Sequence, residues 1–265
     1  MLLSHPGGFM LTVHAVNAFK DNYIWLIQAE DSRKVLIVDP GDAKPVFEAL
    51  KQKDLTPAAI LLTHHHADHI GGVEALLETY PVPVFGPADE QIPAINHPLK
   101  ATDELEVDPD FPLFRVLETP GHTQGHICFL VENKLFCGDT LFAGGCGRLL
   151  GGSAEQLFQS LKQLKQLPGN TEVYCAHEYT EANLRFARAV EKDNPALQQR
   201  SNETRQLREQ GKRTIPSLMA DELATNPFLR SHLSHIKTAA ETFSSRSLDS
   251  DESVFAALRE WKDNF

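Results

Sequence analysis

Apolar positions along this chain alternate between two spacings, and the alternation maps its elements. Ile24 to Ile27 and Val35 to Val38 are short apolar runs on either side of the polar turn Glu30-Asp31-Ser32-Arg33, the pattern of two strands. Asp39-Pro40-Gly41-Asp42 punctuates the second run, and Val46 to Leu50 then takes helical spacing. Ala59-Ile60-Leu61-Leu62 is continuously apolar, as expected of a strand covered on both faces. Gly71-Gly72 and Val73 to Leu77 read as a turn into a helix. Arg115 to Leu117, His126 to Val131, Leu135 to Cys137 and Glu172 to Cys175 read as further strands, the middle two forming a hairpin around Glu132-Asn133-Lys134.

Ser153-Ala154-Glu155-Gln156 carries a capping-box signal ahead of Leu157, Phe158, Leu161, Leu164 and Leu167, which together predict one apolar helix face for core packing. After about residue 178 strand signals fade. Leu184, Ala187 and Val190 keep helical spacing, Asn194-Pro195 marks a break, and a polar helix is predicted over Ala196 to Glu209. Val254, Phe255, Leu258 and Trp261 predict a last helix. The pattern predicts an α/β domain followed by a helical segment, with no solenoid-period repeat.

Metal-ligating residue types follow the strands. Directly after Ala59 to Leu62 comes Thr63-His64-His65-His66-Ala67-Asp68-His69, with four histidines and one aspartate in six residues. Imidazole and carboxylate hold zinc and similar divalent metals. The spacing H-x-H-x-D-H offers two groups of ligands from one loop, enough to begin two adjacent sites. His122 follows the strand at 115–117, Asp139 the hairpin, and His177 the strand at 172–175. Ligand sites in α/β folds lie beyond the carboxyl ends of strands. Seven such ligands can hold two metals if one carboxylate bridges them, and metals so placed lower the pKa of a shared water and polarise a carbonyl. The expected chemistry is hydrolysis of an ester, thioester, amide or phosphoester. His65 is expected to point away from the metals and His126 to support rather than ligate. His14, His97, His232 and His235 are expected to be structural or exposed, and Cys137 a buried neighbour of Asp139.

Composition narrows the partners. A net charge of −11 argues against non-specific nucleic-acid binding and requires a local basic patch for any anionic substrate. No apolar run reaches the roughly 20 residues of a membrane-crossing helix. The opening MLLSHPGGFM lacks a signal peptide's basic start and long apolar stretch; it reads as a ragged extension, with Met10 as an alternative start. Cys128, Cys137, Cys146 and Cys175 form no C-x-x-C pair, and are expected to be buried free thiols in a reducing compartment, hence the cytoplasm.

These motifs resemble a known group. T-H-H-H-x-D-H followed by G-G, then T-P-G-H-T-x-G-H, C-G-D-T-L-F and H-E-Y-T, match the metallo-β-lactamase superfamily. With Cys146-Gly147-Arg148 and the C-terminal Arg259-x-x-Lys262-Asp263, the chain is similar to the glyoxalase II family within it, from roughly Val13 to Phe265. The resemblance implies a four-layer αβ/βα sandwich over residues 10–178 with a helical substrate-binding domain over 179–265. It implies one metal on His64, His66 and His122, a second on Asp68, His69 and His177, and Asp139 as the bridge. Zinc is the expected metal, with iron or manganese as alternatives. Asp68 and Asp139 would orient a metal-bound hydroxide that attacks the thioester of S-D-lactoylglutathione, giving D-lactate and glutathione.

The resemblance also implies that Arg148, Arg259 and Lys262 receive the carboxylates of glutathione and that Tyr179 contacts the tripeptide. Where some family members have a tyrosine, this chain has Leu150, so backbone groups of Leu149 and Leu150 are expected to serve instead. The expected partner is this small thioester, not nucleic acid or membrane, and the expected state is a monomer. The competing readings are another hydrolase on the same scaffold, such as a lactonase or β-lactamase, and a non-catalytic metal-binding module.

Overall fold

The computed structural model describes residues 10–101 and 104–265; the proposed ragged extension at residues 1–9 lies outside them. The chain divides into two compact units. One runs to Leu117 and takes in Phe129–Glu132; the other comprises Glu118–Cys128 and Asn133–Phe265.

The first unit is built on a six-stranded sheet in chain order: β1 (Leu11–Ala18), β2 (Asn22–Ala29), β3 (Lys34–Val38), β4 (Thr56–Leu61), β5 (Val84–Pro87) and β6 (His97–Leu99). The first three strands are antiparallel neighbours, and β3 to β6 are parallel. The crossovers carry α1 (Ala43–Lys53), the single turn α2 (Ala67–Ile70) and α3 (Val73–Thr79). Leu26, Ile37, Ile60 and Val84 of the sheet pack with Val46 and Leu50 of α1 and Val73 and Leu76 of α3 into one core. That burial is why the central strands read as continuous apolar runs. Asp42 caps α1 by accepting from the Lys44 amide at 3.0 Å, so the helix starts directly after the loop that ends β3. A short pair, β7 (Glu104–Leu105) and β8 (Phe114–Glu118), follows.

After β9 (Ile127–Val131), the second unit contains β10 (Lys134–Gly138), the hairpin β11 (Leu141–Phe142) and β12 (Gly145–Cys146), α4 (Ala154–Leu164) and β13 (Glu172–Cys175). Then come α5 (Thr180–Val190), α6 (Pro195–Glu209), β14 (Ser217–Leu218), α7 (Met219–Thr225), a 3-10 turn at Pro227–Leu229, α8 (Ser234–Ser244) and α9 (Asp251–Asp263). β10 pairs parallel with β13, and β13 antiparallel with β14. Phe158 of α4 meets Phe255 of α9 at 5.7 Å between ring centres, and Phe255 meets Phe228 at 5.6 Å. The helices after residue 178 therefore share a compact unit with β10 and β13, rather than forming a unit by themselves.

The predicted elements are found, with differences at their margins. α4 stops at Leu164, short of Leu167, because Pro168 disfavours helical backbone at the residue before it. β1, β5, β6, β7, β11, β12, β14, α2, α7 and α8 were not predicted: most are too short to show a period, and the longer β1 and α8 bury only Val16 and Ala18, and Ile236 and Ala240, respectively. All four cysteines are free and buried.

The capping box of α4 is complete. Ser153 Oγ accepts from the Gln156 amide at 3.2 Å, and Gln156 Oε1 accepts from the Ser153 amide at 2.9 Å. Ser153→Ala should cost about 1 kcal/mol and lower the Tm by about 2–4 °C, while Ser153→Thr should retain most of it. A melting curve for the alanine variant that overlays the wild type would show that the cap contributes nothing.

Candidate metal centre

Strand register delivers the first set of candidate ligands. Val38 of β3 pairs with Leu61 of β4 in parallel, so Asp39 and the stretch after Leu62 emerge side by side. The Asp39 carboxylate ties them together. Its Oδ1 accepts from the Thr63 amide at 2.8 Å and its Oδ2 from Thr63 Oγ1 at 2.6 Å. Having given its proton to Asp39, the Thr63 hydroxyl accepts from His64 Nδ1 at 3.0 Å. Asp39 Oδ2 also lies 3.0 Å from His69 Nδ1. Both rings are thus held as the tautomer protonated on Nδ1, with Nε2 the nitrogen that can ligate. His64 Nε2 and His66 Nδ1 are 3.0 Å apart, near the about 3.3 Å between two nitrogens on one tetrahedral zinc.

Asp68 and His69 face each other, with Oδ2 3.6 Å from Nε2. Asn22 fixes that carboxylate by donating to Oδ2 at 3.0 Å. Glycine is required beneath it: a Cβ on Gly41 would lie 1.8 Å from the Asp68 carbonyl oxygen. His65 turns onto Glu90 instead, at 2.6 Å. Asp39, His64 and His69 present donor atoms within 4.8 Å of one another. In the sequence Asp39 looks like a turn residue, and Asn22 lies outside every motif. The available signal was an aspartate ending the strand that precedes the histidine strand.

The second unit supplies the other set. Gly138 of β10 pairs with Cys175 of β13, so Asp139 and His177 also leave neighbouring parallel strands together. Asp139 lies between two histidines, with Oδ2 3.5 Å from His122 Nε2 and Oδ1 3.5 Å from His177 Nε2. One oxygen facing each ring is the disposition of a bridging carboxylate. His122 donates from Nδ1 to the Arg148 carbonyl at 2.8 Å, which turns its Nε2 toward Asp139. His126 supports this arrangement. Its Nε2 accepts from the Asp139 amide at 3.2 Å, and its Nδ1 meets the Thr119 and Thr140 hydroxyls, each at 3.1 Å. Burial, with Cys128 and Cys175 nearby, pushes the Cys137 thiol well above its ordinary range. Cys137 is therefore a neutral thiol, and it donates to the Leu141 carbonyl at 3.1 Å.

The candidate substrate residues lie in the same unit. Tyr179, partly exposed, stacks on His177 with ring centres 4.7 Å apart. The Leu150 amide donates to the His122 carbonyl at 2.8 Å, leaving its side chain exposed. The Leu149 side chain is half-buried. Arg148 is exposed, 3.8 Å from Asp263. Arg259 is only 3% exposed; it donates to the carbonyls of Cys146 at 3.0 Å and Gly147 at 3.3 Å, and to Asp263 at 2.9 Å. Lys262 sits 5.5 Å from the Phe186 ring centre. Burial, then the charges of Arg259, Arg185 and Arg148, lower the Lys262 pKa below its ordinary 10.5. Arg185 is the basic neighbour that sequence reading missed, because it stands on a different helix from the tail motif.

The family model for the metallo-beta-lactamase superfamily matches residues 19–177. A structure of ETHE1 from Myxococcus xanthus aligns over 95% of this chain and 90% of its own at TM-score 0.66 and 27% identity. TTHA1623 in a di-iron-bound form aligns over 63% of this chain and 91% of its own, with TM-score 0.52 and 31% identity. The protein thus has the α/β metallo-β-lactamase fold with a helical C-terminal region, and it carries His/Asp clusters able to bind metal. The model described as hydroxyacylglutathione hydrolase C-terminus matches residues 178–265. A hydroxyacylglutathione hydrolase of Alkalilimnicola ehrlichii is 55% identical over 96% of this chain and 99% of its own. The chain belongs to the hydroxyacylglutathione hydrolase family.

The two histidines near Asp139 should differ sharply on substitution. His122→Ala should strip metal and turnover together. His126→Ala, which removes only support, should cost about 10–100-fold in metal affinity or activity. Elemental analysis with parallel rate measurements separates them; full metal content and normal rates in His122→Ala would end its assignment as a ligand.

Proposed function

We propose that the chain hydrolyses S-D-lactoylglutathione, or a related S-2-hydroxyacylglutathione, to the hydroxy acid and glutathione, using two divalent metal ions. His64, His66 and His122 would hold one ion, Asp68, His69 and His177 the other, and Asp139 would bridge. The observation that carries this reading is Asp139, which turns one carboxylate oxygen to His122 and the other to His177. Family membership and the di-iron form of a relative support it. These donors are all nitrogen and oxygen, a set that suits zinc and also accepts iron or manganese. When bound, such a pair supplies a water of near-neutral pKa and polarises the carbonyl.

The chain's own residues supply orientation and binding. Asp68, held at Oδ2 by Asn22, and Asp139, held through its amide by His126, orient the attacking water. A departing thiolate is stable enough to leave without a strong general acid. Arg148 and Lys262 receive the glutathione carboxylates, Tyr179 contacts the tripeptide, and backbone groups of Leu149 and Leu150 replace the missing tyrosine hydroxyl. Arg259 contributes from beneath, through the carbonyls it holds. One chain supplies every ligand, which supports action as a monomer, and the buried free thiols fit a reducing cytoplasm. Among the described residues no helix is long and apolar enough to cross a membrane.

Steady-state rates on lactoylglutathione, a lactone and a β-lactam test the reading. The thioester should be turned over with by far the highest kcat/KM. Preference for either ring substrate would favour another hydrolase on this scaffold, and no turnover by metal-loaded protein would favour a binding module.

Lys262 gives a second test. Losing a charge-assisted hydrogen bond costs about 1.5–3 kcal/mol, so Lys262→Ala should raise KM for lactoylglutathione by roughly tenfold to a hundredfold with a smaller change in kcat. Only the protonated amine binds a carboxylate, and its folded pKa is lowered. Affinity for S-methylglutathione should therefore weaken as pH rises through that depressed pKa, before an ordinary lysine would titrate. Lys262→Arg should lack this component. Identical alkaline profiles for wild type and Lys262→Arg would remove Lys262 from the site.

A further inference from the structure

The loop from Phe142 to Gly147 is buried throughout. Buried backbone must find hydrogen-bond partners, and here helix-borne side chains supply many of them. Asn226 Nδ2 donates to the Phe142 carbonyl at 3.3 Å and the Gly145 carbonyl at 2.9 Å. Asn183 Nδ2 donates to the Ala143 carbonyl at 3.1 Å, and the Gly144 amide donates to Glu222 Oε2 at 2.8 Å. Arg259 holds the carbonyls of Cys146 and Gly147. Every residue from 142 to 147 thus has a backbone group tied by a side chain from α5, α7, the turn after α7, or α9.

The loop passes this order directly to the candidate ligands. The Gly147 amide donates to the Thr140 carbonyl at 3.2 Å. A Cβ on Gly147 would lie 2.0 Å from the Asp139 carbonyl oxygen and 3.2 Å from His122 Nδ1. The next residue, Arg148, provides the carbonyl that orients His122. At the other end of the chain of contacts, Glu222 and Asn226 are both fully buried and joined at 3.1 Å. Arg200 pairs with Glu222 and donates to Thr225 Oγ1 at 2.6 Å. A buried ion pair is a poor source of stability compared with apolar packing of the same volume, so its value here lies in the geometry it imposes.

We propose that Glu222 and Asn226 are positioning residues for the metal centre: through the 142–147 loop they set the orientation of His122 and the placement of Asp139. The proposal rests on reading His122 and Asp139 as ligands. It gives the helical segment a role in metal binding beyond receiving substrate.

The test uses the full-length protein loaded with cobalt(II). Visible spectrum and chelator-competition affinity are read alongside the Tm of the metal-free form. Asn226→Ala and Glu222→Leu should weaken metal binding by about 10–100-fold and alter the cobalt spectrum. Asn183→Ala, which cuts one tie, should do so to a smaller extent and serves if the larger changes prevent folding. Ile236→Ala, at a fully buried apolar site on α8, should lower Tm while leaving spectrum and affinity unchanged. If the clamp variants lose Tm as Ile236→Ala does but keep the wild-type spectrum and affinity, their role is packing alone and the proposal is overturned. His122→Ala, measured in parallel, separates the two levels. If it also keeps its metal, the ligand assignment fails and the clamp with it; if it loses metal while the clamp variants do not, only the clamp fails.

Discussion

Val38 lies opposite Leu61, and Gly138 opposite Cys175, each across a parallel strand pair. Parallel register releases two chains at the same level and in the same direction. In the first unit it puts Asp39 beside Thr63 and the histidine run. In the second it puts Asp139 beside His177. Slipping either pair by one residue would turn alternate side chains to the opposite face and separate the groups that must meet. The apolar cores beneath these strands therefore matter to the site chiefly by fixing register.

Short-range hydrogen bonds then choose which atom of each ring is presented. Asp39 acts on His69 directly and on His64 through Thr63. The Arg148 carbonyl does the same for His122. In each case the partner accepts the Nδ1–H hydrogen bond and leaves Nε2 as the nitrogen able to ligate. His126 acts on the backbone of Asp139 instead. A histidine four residues from a candidate ligand thus serves the candidate site through an amide, an arrangement that spacing alone cannot distinguish from coordination.

Charge is distributed against the molecule's overall sign. The chain carries a net −11, yet Arg148, Arg185, Arg259 and Lys262 lie near enough for the three arginines to lower the lysine's pKa. Such a concentration of positive charge suits a ligand with carboxylates and gives an acidic protein a local site for an anion. Arg259 differs from the others because burial commits its guanidinium to carbonyls and Asp263. Its neighbour in the tail motif, Lys262, stays half-buried over an aromatic ring.

The main strands and helices around the candidate ligands, the capping box of α4 and the candidate ligands themselves were legible in the sequence, because each depends on near neighbours along the chain. Apolar periodicity reports which face is buried, and ligand residue types after a strand report where chemistry can collect. Asp39, Asn22 and Arg185 were not legible as parts of a site. Their partners are Thr63 and His69, Asp68, and Lys262, reached only through sheet pairing or helix packing. The same holds for Glu222 and Asn226, whose polar side chains look like ordinary helix and turn residues until the buried 142–147 backbone is seen to need them. Local pattern specified the main elements and the kinds of candidate ligand. Tertiary structure alone decided which nitrogen faces inward, which arginine is spent on backbone and which distant residues hold the loop, because unpaired buried polar groups are satisfied by whatever folding brings near, not by what is adjacent in the chain.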